Sequence, residues 1–230
     1  MLRILDNPKW FVANLLIIKI FFIGIHINAQ DVSNSAEILL GLQKLNVLGS
    51  VLYIAAHPDD ENTAVLTYMS KSQLVNTAYL SLTRGDGGQN LIGSEKGDLL
   101  GVLRTQELLS ARRIDGADQF FTRAIDFGYS KTSEETLSKW DKNIILGDIV
   151  KIVRQFKPDI IITRFSSTNG GHGHHLSSAI LAEEAFYAAA DPTNFSEQLD
   201  ELDVWQSKRI LWNTWSPTDK ALSIDVGEYN

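Results

Sequence analysis

Histidine is the residue whose placement in this sequence says most about chemistry. The chain has five: His26, His57, His172, His174 and His175. Four of them fall in two short segments, His57-Pro58-Asp59-Asp60-Glu61 and His172-Gly173-His174-His175, far apart along the chain. Imidazole titrates near neutrality and is the commonest metal ligand. Two histidines and one carboxylate make a frequent catalytic zinc site, with a fourth position open to water. There the ion lowers the pKa of water toward ~7 and polarises a carbonyl. A second carboxylate beside the ligands can then serve as general base. Asp59 and Asp60 offer both carboxylates in adjacent residues. Each motif alone has a blander reading: a His-Pro turn, two aspartates opening a helix, or a solvated Gly-His loop. The confinement of all four histidines to two loops is what favours a site.

Each segment follows an apolar run. Val51 to Ala56 (VLYIAA) and Asp159 to Phe165 (DIIITRF) read as strands buried on both faces. Thr77 to Thr83 is a further strand, followed by a glycine-rich loop from Arg84 to Asn90. Gln119 to Thr122 is a short strand, and Arg209 to Trp215 and Ala221 to Val226 are late ones. Helical patterns cover Glu37 to Leu48, Glu61 to Lys71, Leu100 to Gly116, Ser133 to Phe156 (stopped by Lys157-Pro158) and Leu176 to Ala190. Strands alternating with helices imply an α/β fold with a mostly parallel sheet covered on both faces. Ligands of such sheets bind outside the carboxyl ends of the strands. Both histidine segments are therefore expected at one edge of the sheet.

The 230 residues are 44% hydrophobic and 21% charged, which fits one globular domain and excludes collagen-like, disordered and coiled-coil classes. The absence of cysteine excludes disulfide scaffolds, thiolate zinc sites and cysteine nucleophiles. The net charge of −7 argues against a nucleic-acid binder. Residues 1–29 read as a signal peptide: Arg3 and Lys9 precede an apolar stretch from Phe11 to Ile25, interrupted by Lys19, and Asn28-Ala29-Gln30 offers a cleavage point. An uncleaved anchor is the competing reading, although the stretch falls short of the ~20 apolar residues of a spanning helix. The expectation is an exported protein, periplasmic or extracellular, whose mature domain is 30–230 and contains no membrane span. The end at Asn230, directly after a strand-like run, fits the N-terminal part of a longer protein, or else a genuine short C-terminus. The sequence carries no signal for oligomeric state.

Ala56-His57-Pro58-Asp59-Asp60-Glu61 resembles the AHPDDE signature of the PIG-L/LmbE-like zinc deacetylases. The resemblance extends over about residues 50–190. Thr83-Arg84-Gly85-Asp86-Gly87 is similar to that family's T-x-G-acidic loop, Arg104-Thr105-Gln106-Glu107-Leu108 to its R-x-x-E-L helix, Lys157-Pro158-Asp159 to its R-P-D strand entrance, and His172-Gly173-His174-His175 to its H-x-D-H motif. The resemblance implies a Rossmann-like three-layer α/β sandwich. It implies Zn2+ held by His57, Asp60 and His175, Asp59 as general base, and His172 as oxyanion stabiliser or acid. The implied reaction removes the N-acetyl group from an N-acetylglucosamine-containing glycan or glycoconjugate. Arg104 resembles a residue near the polar substrate moiety.

Two positions depart from the family pattern. His174 stands where many members carry an aspartate that orients a neighbouring histidine, which an imidazole cannot do as a carboxylate would. Gly170 stands where some members carry a tyrosine that contacts the reacting carbonyl. Arg84, Asp86 and Asn90 are further substrate-binding candidates, or else parts of a solvated glycine-rich turn. Arg104 and Glu107, at i, i+3, also fit a plain surface pair. Trp205, Trp212 and Trp215 fit core packing better than sugar stacking. Two rival functions remain open at this point: a non-catalytic sugar-binding module, prompted by His174 and Gly170, and a non-haem iron oxygenase, which shares the two-histidine, one-carboxylate set. The spare carboxylate Asp59 speaks against both.

Overall fold

The computed structural model describes residues 34–169, 171–214 and 221–224. The expected signal peptide, Gly170, Trp215 and the end of the expected strand 221–226 lie outside them; residues 221–224 carry no strand assignment. The described residues from Leu40 onward belong to one compact unit. The first helix, α1 (Ser35–Lys44), opens with a reciprocal capping box. The Asn34 amide donates to the Glu37 carboxylate at 2.9 Å, and the Glu37 amide donates to Asn34 Oδ1 at 3.0 Å.

From residue 50 the chain alternates as the apolar runs require. Strand β1 (Ser50–Ala55) leads to helix α2 (Thr63–Thr67) and a π-turn (Tyr68–Ser72). Then come β2 (Asn76–Ser81), α3 (Asp98–Asp115), β3 (Asp118–Phe121), α4 (Ser133–Lys139), α5 (Lys142–Phe156), β4 (Ile160–Thr163), α6 (Gly173–Ala188), a 3-10 turn (Ser196–Asp200) and β5 (Arg209–Trp212). The five strands form one parallel sheet in the order β3-β2-β1-β4-β5, with Tyr53 in register with Tyr79 on one side and Ile162 on the other.

Successive residues of a strand face opposite sides of the sheet, and β1 shows the consequence. Leu52 and Ile54 join a core with Ile145, Ile149 and Leu181 of α5 and α6. Val51, Tyr53 and Ala55 join a second core with Val65, Leu66 and Leu108 of α2 and α3. Both faces are covered, so the strand is apolar throughout and the architecture is the three-layer α/β sandwich expected. The strand order reverses between β1 and β4, which makes their carboxyl ends the topological switch point of the sheet.

One expected element becomes two. The pattern from Ser133 to Phe156 reads as largely helical, and the structure divides it into two helices at Trp140 and Asp141. Asp141 is an N-cap, its carboxylate accepting from the Ile144 amide at 3.2 Å, and Trp140 turns extended and sinks into the core, donating its indole N–H to the Ile125 carbonyl at 2.9 Å. Helix α5 ends with Lys157 in the left-handed region (φ 56°), because a residue before proline is driven out of the helical region.

Candidate metal centre

Strand β1 delivers His57 to the switch point, and a tight turn follows. The Asp60 amide donates back to the His57 carbonyl at 3.4 Å, and Asp59 adopts φ 85°, a left-handed conformation that aspartate and asparagine tolerate better than most residues. The turn aims the Asp60 carboxylate inward. Its Oδ2 accepts from the His57 amide at 2.8 Å and lies 3.2 Å from His57 Nδ1, while its Oδ1 lies 3.6 Å from His175 Nε2. The Tyr79 hydroxyl fixes the turn from beneath by donating to the His57 carbonyl at 2.5 Å.

The other histidines arrive on α6. His172 is its N-cap residue, with Nδ1 placed 3.2 Å from the Ser130 carbonyl and 3.3 Å from the His174 amide. Gly173 is required there: a Cβ would meet the Thr132 carbonyl at 2.2 Å and Ser130 Oγ at 2.3 Å. His175 stacks on Phe165 with ring centroids 3.8 Å apart and planes at 4°. His174 is fully buried, between Trp140, stacked at 4.9 Å, and Phe127, edge-on at 4.4 Å. Its Nδ1 is 2.9 Å from His57 Nε2, so a residue expected to lack a role is bonded to the first candidate ligand.

Electrostatics follow from burial and these partners. For His57, burial favours the neutral form, but the hydrogen bond to Asp60 and the charges of Asp60, Asp126 and Asp59 outweigh it and raise the pKa. Burial and the neighbouring imidazoles push His174 down to about 3. Burial holds His175 down to about 4 against the pull of Asp60, and it lowers His172 together with the His57 charge. Neutral imidazoles are what a metal ion needs.

Donor atoms of His57, Asp60 and His175 all lie within 4.8 Å of one another. Ligands about 2.1 Å from one tetrahedral ion stand roughly 3.4 Å apart; Asp60 lies near that spacing from each histidine, 3.2 Å from His57 Nδ1 by Oδ2 and 3.6 Å from His175 Nε2 by Oδ1. The residues fit zinc. His57, His172 and His174 form a second group within the same limit.

The remaining predicted residues are placed less uniformly. Asp59 is mostly exposed, and its Oδ2 receives Arg104 Nη2 at 2.8 Å; the same nitrogen donates to the Pro58 carbonyl at 2.9 Å. Arg104 also pairs with Glu107 at 3.3 Å, so it makes both the surface pair and a clamp on the loop. Asp59 and Arg104 border a cavity of about 850 Å³ whose other walls include Asn90, Leu91, Ile92 and Leu103. Arg84 and Asp86 line a different cavity of about 420 Å³ with Thr105 and Ile125, away from the histidines. Arg84 lies over the Phe121 ring at 4.1 Å, and Asp86 accepts from the Asp126 amide at 3.3 Å. Asn90 is tied into its own loop by Ile92, Gly93 and Glu95. The Trp205 indole N–H donates to the Pro158 carbonyl at 2.7 Å and its ring packs on the core, while Trp212 is half exposed.

Sequence reasoning missed Glu61 and Arg112. Arg112 is buried, chelates Asp115 and reaches Glu61 at 3.4 Å, so α3 grips the His57 loop through Arg112 as well as Arg104. The two arginines are eight residues apart on one helix, and that spacing is the signal available. Tyr129, tilted over His172 with centroids 5.1 Å apart, and Phe165 were also missed.

A family model described as GlcNAc-PI de-N-acetylase, PIG-L, matches residues 52–186. The chain belongs to the PIG-L family. This PIG-L domain is 29% identical over 181 residues to a 1D-myo-inositol 2-acetamido-2-deoxy-alpha-D-glucopyranoside deacetylase of Geodermatophilus obscurus, covering 70% of this chain and 60% of that protein. It is 28% identical over 178 residues to a mycothiol S-conjugate amidase of Streptomyces coelicolor, covering 71% and 60%. The chain thus spans about 60% of the length of these curated relatives. In structure it resembles an N,N'-diacetylchitobiose deacetylase from Pyrococcus horikoshii, with a TM-score of 0.57, 20% identity, and 79% of this chain and 70% of that one covered. That likeness establishes the shared fold.

Proposed function

We propose that this chain is a zinc-dependent hydrolase that removes the N-acetyl group from an N-acetylglucosamine-containing glycan or glycoconjugate. The observation that carries the reading is the convergence of His57 Nδ1, the Asp60 carboxylate and His175 Nε2 at spacings that suit one tetrahedral ion, beside the further carboxylate of Asp59. His57, Asp60 and His175 would hold the ion. Bound zinc supplies an acidified water and a Lewis acid for the acetamide carbonyl.

The chain's own residues do the rest. Asp59 keeps one carboxylate oxygen on Arg104 and offers the other to take the proton of the attacking water. His172, whose Nδ1 sits between a carbonyl acceptor and an amide donor, is held in place with its Nδ1 protonated or not. It stabilises the oxyanion or returns a proton to the leaving amine. The products are acetate and a free amine on the sugar. The curated relatives, named as a deacetylase and an amidase, support amide hydrolysis. A second carboxylate next to the ligand Asp60 in sequence, Asp59, supports turnover over sugar binding alone.

The test is acetate release from a panel of N-acetylated sugars with and without a chelator. Chelator-sensitive release from an N-acetylglucosamine derivative is expected. Fully zinc-loaded protein that binds these sugars and releases no acetate from any of them would sink the reading. We also propose export, resting on the charged and apolar pattern of residues 1–29. Native protein beginning at Met1 in a cytoplasmic fraction would refute it, whereas a mature start near Gln30 is expected.

A further inference from the structure

We propose that His174 is the positioning residue of the metal centre: its buried Nδ1 accepts the Nε2 proton of His57 and thereby keeps His57 Nδ1 free for the ion. The proposal rests on the metal-centre reading above.

A neutral imidazole has one protonated nitrogen and one lone pair. His57 Nδ1 is the nitrogen that faces the ligand carboxylate of Asp60, at 3.2 Å. If Nδ1 carries the lone pair that binds the ion, the proton of His57 must sit on Nε2. That Nε2 has a defined partner, His174 Nδ1 at 2.9 Å, an ordinary hydrogen-bond distance. Ligating histidines characteristically donate their second N–H to such an acceptor, which fixes both tautomer and ring orientation. His174 accepts with Nδ1 only when its own proton is on Nε2. That Nε2 is buried and has no hydrogen-bond partner among the described residues. It lies in the aromatic pocket of Trp140 and Phe127.

The assignment has a cost: it leaves a buried N–H of His174 with no acceptor among the described residues, and Asp126 Oδ1, 3.8 Å from His174 Nδ1, favours the other tautomer in the metal-free protein. An aspartate at position 174 would accept the same proton and leave no orphan donor. The arrangement also predicts a paired change on loading. In the metal-free protein the short Nδ1 contact to Asp60 favours His57 protonated on Nδ1, with His174 Nδ1–H donating to His57 Nε2. Loading moves both imidazoles to the other tautomer, with no net change in proton number.

The test uses the full chain and the zinc ion alone. Zinc affinity, read by competition with a chromophoric chelator, is expected to weaken about 10–100-fold in His174→Phe. In His174→Asp it is expected to match or exceed the wild type, since a carboxylate restores the acceptor. Nitrogen-15 NMR of the zinc-loaded wild type should show His57 protonated at Nε2 and His174 protonated at Nε2, a signature independent of any variant's folding. Wild-type zinc affinity in a folded His174→Phe, or His57 protonated at Nδ1 in the loaded protein, would overturn the proposal. So would the loss of one imidazole from the ion's X-ray absorption signature in a zinc-loaded His174→Phe, which would make His174 a ligand. A wild type that takes up no zinc overturns the metal centre itself and this role with it.

Discussion

Arg104 Nη2 donates to Asp59 Oδ2 at 2.8 Å and to the Pro58 carbonyl at 2.9 Å, so a single guanidinium nitrogen fixes both the backbone and the carboxylate of the loop between β1 and α2. Among the described residues no hydrogen bond joins the Asp59 carboxylate to the histidines. Adjacent in sequence, Asp59 and Asp60 are thus separated in direction. The left-handed turn at Asp59 sends Asp60 toward His57 and His175 and leaves Asp59 outside the ligand set, on Arg104.

That division predicts different failures for two isosteric changes. Asparagine tolerates φ 85°, so Asp59→Asn should leave the loop and the bound zinc intact. Its kcat for deacetylation should fall roughly 10²–10⁴-fold, the usual contribution of general-base catalysis. KM should change little, because the proton transfer belongs to the transition state. Asp60→Asn should instead lower the zinc content. Deacetylation by Asp59→Asn at the wild-type rate would remove Asp59 from the mechanism.

Metal retention should follow the two histidine ligands separately from the sheet. His57→Ala and His175→Ala each delete one donor of the set that lies within 4.8 Å. Both should greatly reduce bound zinc by elemental analysis, while far-UV circular dichroism stays that of the wild type. Full zinc in both variants would mean that the ion sits elsewhere.

Much of this was legible in the sequence, for identifiable reasons. A strand covered on both faces has to be apolar throughout, so VLYIAA and DIIITRF announced β1 and β4, and the parallel topology then forced His57 and His175 to one edge. The helix break at Asp141 was less visible because its capping signal lies inside a largely helical pattern. Arg112 and Arg154 could not be singled out, since a charged side chain carries no mark in sequence of the acceptors that await it. His174 looked like a lost carboxylate. Only the fold shows that an imidazole in that place still reaches His57.

Arg154 supplies a stability prediction. It is fully buried, with no carboxylate ion pair among the described residues, and its guanidinium donates to the carbonyls of Ala188, Ala189, Asp191, Asn194 and Phe195. Four of them also accept a backbone N–H, whereas the Asn194 carbonyl has the guanidinium as its donor among the described residues. Arg154→Met should therefore strand chiefly the Asn194 carbonyl and cost about 1–3 kcal/mol, lowering Tm by roughly 2–12 °C. Arg154→Lys, with a point charge in place of a planar fork, should fall in between. Urea denaturation measures both. A loss below about 1 kcal/mol in Arg154→Met would show that water or rearranged backbone satisfies these carbonyls.

The buried imidazoles make the metal-free protein acid-sensitive in a defined window. His174 is held down to about 3 and His175 to about 4, both mainly by burial, whereas the same groups titrate near 6.5 in the unfolded chain. Between about pH 6.5 and 4 the unfolded state therefore binds protons that the folded state refuses. Stability is full above the unfolded value and falls as the pH drops, by up to about 1.4 kcal/mol per pH unit for each histidine. His57 works the other way. Its folded pKa is raised, so its contribution is present at low pH and is lost as the pH rises through that folded value. With His172 also lowered, three depressed groups against one raised group leave a net loss on acidification. Urea midpoints of chelator-treated protein should fall between pH 7 and pH 5, and His174→Phe should make the fall shallower by about one proton's worth. The zinc-loaded protein should lose stability more steeply over the same range, because protons compete with the ion for its ligands. An unchanged midpoint from pH 7 to pH 5 in the metal-free protein would mean that these imidazoles take up protons in the folded state, and that the pocket around His174 is not dry.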